Sequence, residues 1–149
     1  MKRNLFIAAL LLKFVLLAHA TDVFNAGTLK GYCQKLNDFS TPAGSAKLTG
    51  PNVTNQVADD LFDAGGCAGY MNGWLQGVAG MAILDSEGKI RVVQFANGIT
   101  AGQMSRVFVT YMNKHPEIEN QSAEEALGRA MTDTGLVQTV PPPVHISTN

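Results

Sequence analysis

The sequence predicts an all-α fold, a compact bundle of four to five helices carrying one intramolecular disulfide. Three observations carry that prediction. Apolar residues recur at helical spacing in four separate stretches. Two of those stretches open on capping-box residues, Thr100 with Gln103 and Ser122 with Glu125. The chain also holds just two cysteines, Cys33 and Cys67, behind a segment that reads as an export signal. At 149 residues, 46% hydrophobic and 15% charged, the chain has room for one cored domain, and wholesale disorder is excluded.

The organisation begins with an address. Met1-Lys2-Arg3-Asn4 is cationic, Leu5 to Leu17 is apolar apart from Lys13, and Ala18-His19-Ala20 is a small-x-small site. Together they describe a signal peptide, residues 1–20, cut after Ala20. The run is too short for a membrane anchor, and Lys13 sits in its middle. Cleavage removes Lys2, Arg3 and Lys13, leaving 8 Lys and Arg against 12 Asp and Glu, a mildly acidic net charge of −4. No basic field remains to hold nucleic acid, and no membrane contact is expected after cleavage. In an oxidising compartment the even cysteine count favours a Cys33–Cys67 bridge. The loop it closes, about 34 residues, stabilises the fold by roughly 3–4 kcal/mol on the chain-entropy model. The helical domain is expected over residues 21–137, followed by a Pro-rich flexible tail over 138–149.

The first helix follows Phe24-Asn25-Ala26-Gly27 and places Leu29, Tyr32, Cys33 and Leu36 on one face, with Asn37-Asp38 able to end it. Residues 38–55 are rich in Ser, Thr, Pro and Gly and read as a loop. A second helix is expected from Asn55 to about Leu84, with a candidate break at Gly65-Gly66. Its apolar positions are Cys67, Tyr70, Met71, Trp74, Val78 and Met81. Gly65, Gly69, Gly73 and Gly77 recur every fourth residue. Each costs a helix about 1 kcal/mol against alanine, so close approach of another backbone is the expected reason. A helix-crossing seam inside the domain is favoured over a dimer seam.

Residues 85–99 read as a connector: turn chemistry at Asp85-Ser86-Glu87-Gly88, a brief extended segment from Ile90 to Phe95, and a second turn at Asn97-Gly98. The third helix follows Thr100, with Met104, Val107, Phe108, Tyr111 and Met112 as its stripe. Lys114 and His115 suit its C-terminus, and Pro116 stops it. The fourth helix starts after Ser122, buries Ala123, Ala126, Leu127, Ala130 and Met131, and ends at Gly135. From Val137 onward the chain reads as extended and poorly ordered.

Catalytic chemistry is sparse. After cleavage the histidines are His115, explained as a helix-capping residue, and His145 in the tail. Asp59, Asp60 and Asp63 read as acids in the first turns of a helix, not as a metal site. No phosphate-binding loop is present, and no cofactor is expected. The triplets Asn52-Val53-Thr54 and Asn120-Gln121-Ser122 match a glycosylation pattern of low specificity.

The blocks Phe24-Asn25-Ala26-Gly27-Thr28-Leu29 with Cys33, Cys67-Ala68-Gly69-Tyr70-Met71-Asn72-Gly73, Asn97-Gly98-Ile99-Thr100 with Gln103, Tyr111-Met112 with His115-Pro116-Glu117, and Ala126-Leu127 form an ordered set. In order and spacing it resembles the Rap/Tai family of type VI secretion immunity proteins, over residues 24–133. The resemblance implies a periplasmic, helical, non-catalytic homodimer that blocks a secreted cell-wall amidase by plugging or covering its cleft. Gln94 and Asp133 stand where the family commonly has a further pair of cysteines, and Ala96 replaces a proline.

The expected contact surface is the connector Asp85 to Asn97, with Asp85, Glu87, Arg91 and Phe95 as partner-binding residues. This stretch mixes charge with apolar groups, and loops on a rigid scaffold commonly carry recognition. Lacking a cysteine at Gln94, it is expected to be freer to adapt than in the usual family member. The alternative function is a small periplasmic helical chaperone or stress protein.

Overall fold

A computed structural model of the chain describes residues 24–49 and 53–142. The expected signal peptide, Asn52 of the first glycosylation triplet and the tail beyond Pro142 lie outside the described residues. Five α-helices and three strands follow in order: α1 Ala26–Phe39, α2 Pro42–Ala46, α3 Asn55–Val78, β1 Ala82–Leu84, β2 Ile90–Phe95, α4 Ala101–Lys114, α5 Ala123–Asp133 and β3 Val137–Val140. A 3-10 turn, Pro116–Ile118, joins α4 to α5.

The body is the expected bundle. Helix α1 lies at its centre, packed on α3, α4 and α5. Its face buries Leu29 and Cys33, with Tyr32 and Leu36 at the margin. Met104, Phe108 and Met112 from α4 and all five residues of the α5 stripe complete the core. Each large side chain among them contributes about 1.5–3 kcal/mol by leaving water. A disulfide joins Cys33 to Cys67, tying α1 to the middle of α3.

The chain ends of the helices are held by local chemistry. Asn25 caps α1 by accepting from the Thr28 N–H at 2.8 Å. The free N–H groups of Ala26 and Gly27 donate to the carbonyls of Gln121 and Glu119, each at 2.9 Å. An ion pair between Lys30 and Glu119 at 2.7 Å reinforces that junction. Thr100 and Gln103 form the reciprocal box at the start of α4. The second box is half formed. Ser122 accepts from the Glu125 N–H, but the Glu125 carboxylate turns to Arg129, 2.6 Å away. At the end of α5, Gly135 takes φ +73° and its N–H donates to the Thr132 carbonyl, while the Leu136 N–H donates to the Met131 carbonyl. This is a Schellman motif.

Several expectations need correction. The fold is not purely α, because β1, β2 and β3 form an antiparallel sheet in that order. Helix α3 ends at Val78 rather than near Leu84. Gly80 adopts φ +75° and turns the chain back, so that its N–H reaches the Val93 carbonyl at 3.0 Å. The start of the tail is ordered: Val137 to Val140 pair with Phe95 to Val92 and close the sheet. The stretch 38–55 contains the short helix α2, opened by the Thr41 cap and Pro42.

The glycine ladder is the largest correction. Helix α3 is unbroken at Gly65-Gly66, since Ala64, Cys67 and Met71 bury one continuous stripe. Gly65, Gly69, Gly73 and Gly77 are exposed, and a Cβ added at any of them meets nothing within 4 Å among the described residues. Among those residues no helix crosses them. Gly66 differs, because a Cβ there would come within 3.2 Å of the Tyr32 ring.

Candidate functional site

The connector is a β-hairpin rather than an adaptable loop. Its strands pair in a fixed register, Ala82 with Val92, Ile83 with Arg91 and Leu84 with Ile90. Gly88, at φ +73°, supplies the left-handed residue that the turn requires. Asp85 organises everything around it. Its N–H donates to the Lys89 carbonyl at 2.9 Å, and its own carbonyl accepts from the Gly88 N–H at 3.0 Å. Its Oδ1 accepts from the N–H groups of Glu87 and Lys89, at 3.0 and 2.9 Å. Its Oδ2 accepts from Arg91 Nε at 2.9 Å. The Arg91 hydrogen bond first, and those backbone donors with it, hold the Asp85 carboxyl below its ordinary value.

Alternation then sorts the side chains between two faces. Inward, Val93 is buried, Val137 packs on the core, and Phe95 meets Trp74 edge-on with ring centroids 5.5 Å apart. Outward lie Ala82, Leu84, Ile90 and Val92, with Val140 opposite Val92. Leu84 is 70% exposed and its cross-strand partner Ile90 is 56% exposed. Buried apolar area that a side chain could have gained is left in water at this tip.

The four residues expected to form the contact surface therefore separate. Asp85 and Arg91 face one another and shape the hairpin. Glu87 lies on the turn, in an exposed ion pair with Lys89 at 2.6 Å that contributes little to stability. Phe95 sits at the base, half-buried against Trp74. Sequence reasoning missed the Leu84–Ile90 pair as a site. The signal was present: two apolar residues flanking Asp85-Ser86-Glu87-Gly88-Lys89, a turn sequence with glycine at the left-handed position.

The remaining candidates are structural. His115 caps α4, stacks on Tyr111 with centroids 4.3 Å apart, and places Nδ1 3.1 Å from Glu117 Oε1. Asp60 pairs with Lys35 at 2.8 Å. With Asp59 and Asp63 it lies beyond the first turn of α3, not within it. Among the described residues no group of three or more His, Cys, Asp or Glu side chains could hold a metal ion. Among the same residues no helix is long and apolar enough to cross a membrane.

Residues 25–134 match the family model of the Rap1a immunity proteins. The chain belongs to this family. The match spans α1 through α5, and thus takes in the disulfide, both capped helices and the hairpin of this Rap1a-family protein. No curated protein and no solved structure matches the chain.

Proposed function

We propose that this Rap1a-family protein is a periplasmic, non-catalytic inhibitor of a type VI secreted peptidoglycan amidase, and that it engages the amidase with the tip of its β1–β2 hairpin. One observation carries the reading. The tip presents an exposed apolar pair, Leu84 and Ile90, on a turn whose backbone Asp85 has already fixed. A preordered loop loses little conformational entropy when it enters a cleft, and an apolar anchor in a pocket is the usual centre of a tight interface. Glu87 and Lys89 flank the anchor and supply polar rim contacts. Family membership supplies the immunity role, and the resemblance of the sequence blocks supplies the amidase as partner.

The same reading includes a homodimer. The outer face of α3 suits a second copy: the glycine ladder leaves its backbone open, and Phe62 on that face is 80% exposed. Chain mass in solution, by light scattering, tests this directly.

The decisive experiment pairs the purified protein with a candidate secreted peptidoglycan amidase. The double variant Leu84→Asp/Ile90→Asp should lose about a hundredfold or more in affinity, as removal of a central anchor does, and should cease to inhibit. Its melting temperature should stay that of the wild type, because neither side chain is buried. Undiminished inhibition by the double variant would remove the hairpin from the interface.

A further inference from the structure

A second surface lies along α4, away from the hairpin turn. Two hollows of about 230 and 260 Å³ run along this helix and share Arg106 and Val107. One continues to Tyr111, Lys114 and Thr134, the other to Ile99, Gln103 and Leu136. Val107, Tyr111, Ile99 and Leu136 are partly buried apolar groups that pack on the core from one side and floor this trough on the other.

Its charges stand out against the rest of the molecule. Lys30, Lys35, Lys89, Arg91 and Arg129 are each within ion-pair distance of a carboxylate. Lys47, Arg106 and Lys114 have no such partner among the described residues, and of these three Arg106 and Lys114 line the trough. The Tyr111 hydroxyl donates to Asp133 Oδ2 at 3.1 Å. Two of the three unpaired cations thus share one apolar floor.

The spacing selects an occupant. Arg106 and Lys114 are eight residues apart on a helix, about 12 Å along its axis. In an extended strand, residues i and i+4 are about 13 Å apart and point the same way, as does residue i+2 between them. We propose that this trough docks an extended acidic segment of a partner protein, with carboxylates at i and i+4 reaching Arg106 and Lys114 and an apolar side chain at i+2 entering against Val107 and Tyr111. This is a contact independent of the hairpin, and it holds whatever the hairpin binds.

The test uses the mature full chain and a fluorescein-labelled peptide containing Glu-Thr-Leu-Thr-Glu, read by anisotropy, with backbone amide shifts mapped in parallel. Binding should weaken with added salt and perturb amides between Arg106 and Lys114. The double variant Arg106→Gln/Lys114→Gln should lose about tenfold or more in affinity, since two charge-assisted contacts are removed, while its melting temperature holds. Peptides with Gln for both Glu, or with Ser for Leu, should bind about as poorly. Equal binding by the double variant or by the Gln peptide overturns the proposal, as does shift mapping to another face or no binding to the wild type. A short single-stranded oligonucleotide that competes as well as the Glu peptide would show a site for anions at large, which also overturns it.

Discussion

The helical body and the β1–β2 hairpin solve opposite problems with the same kinds of residue. In the body, Leu29, Phe108 and Leu127 are fully buried and their removal from water holds four helices together. In the hairpin, Leu84 and Ile90 are of similar size and chemistry, yet they stand mostly in water. The body is ordered by burial; the hairpin tip is ordered by hydrogen bonds to one carboxylate. The contrast teaches where function can reside. A stable body lets the tip hold an unfavourable apolar exposure that the fold itself does not need.

The largest expected effect belongs to the body. Phe108→Ala should cost about 3–5 kcal/mol, because a large cavity opens among Met104, Met112 and the α5 stripe. Urea unfolding measures it, and a loss below about 1 kcal/mol would mean that the site collapses freely. Replacing Cys33 by Ser should cost about 2–4 kcal/mol through loss of the bridge. Two free thiols in unreduced native protein would contradict the bridge outright.

Smaller effects probe the margins. Gly73→Ala should raise stability by up to about 1 kcal/mol, because the new methyl meets open space and alanine favours the helix. A clear destabilisation would show a close neighbour on that face. The smallest effect is on the hairpin, in acid. The Asp85 carboxyl titrates below its ordinary value of 3.8 in the folded state, so ionised Asp85 favours the folded hairpin. That contribution is complete above the unfolded value and is lost as pH falls through the folded one. Hairpin cross-strand contacts, followed by NMR between pH 6 and pH 2, should weaken over that interval while the α4 and α5 signals persist. Asp85→Asn should remove the pH dependence, and its survival in that variant would place the titrating group elsewhere.

Much of the body was legible because its signals are local and redundant. Thr100, Ser122, His115 and Gly135 mark the ends of α4 and α5, and the stripe between them repeats the same face. The sheet was not legible for a physical reason. Ala82 to Leu84 and Val137 to Val140 are short runs, and such runs say nothing about their partners 6 to 48 residues away. Met81 also keeps the helical spacing of α3, so only the left-handed Gly80 separates helix from strand. The ladder could have been read correctly. At 100° per residue, Gly65, Gly69, Gly73 and Gly77 fall roughly opposite Cys67, Met71, Trp74 and Val78, so a helix buried through the second set must expose the first. For the candidate site, charge and loop position pointed to the same segment that the proposed function uses. They chose Asp85 and Arg91, which build the turn, over Leu84 and Ile90, which the turn displays.

The bridge between α1 and α3 has a consequence for cleavage. Lys47 is exposed just past α2, beside the half-exposed Leu48, and a trypsin-like protease can reach that bond. Cutting there divides the backbone into two chains, one carrying Cys33 and the other Cys67. The core contacts of α1 are made on α3, α4 and α5, none of which depends on an intact 47–48 bond. The nicked protein therefore stays one covalent molecule, running as a single species until a reductant releases the α1 fragment. Resistance to a first proteolytic cut is thus built into the position of the two cysteines, one on each side of the exposed Lys47.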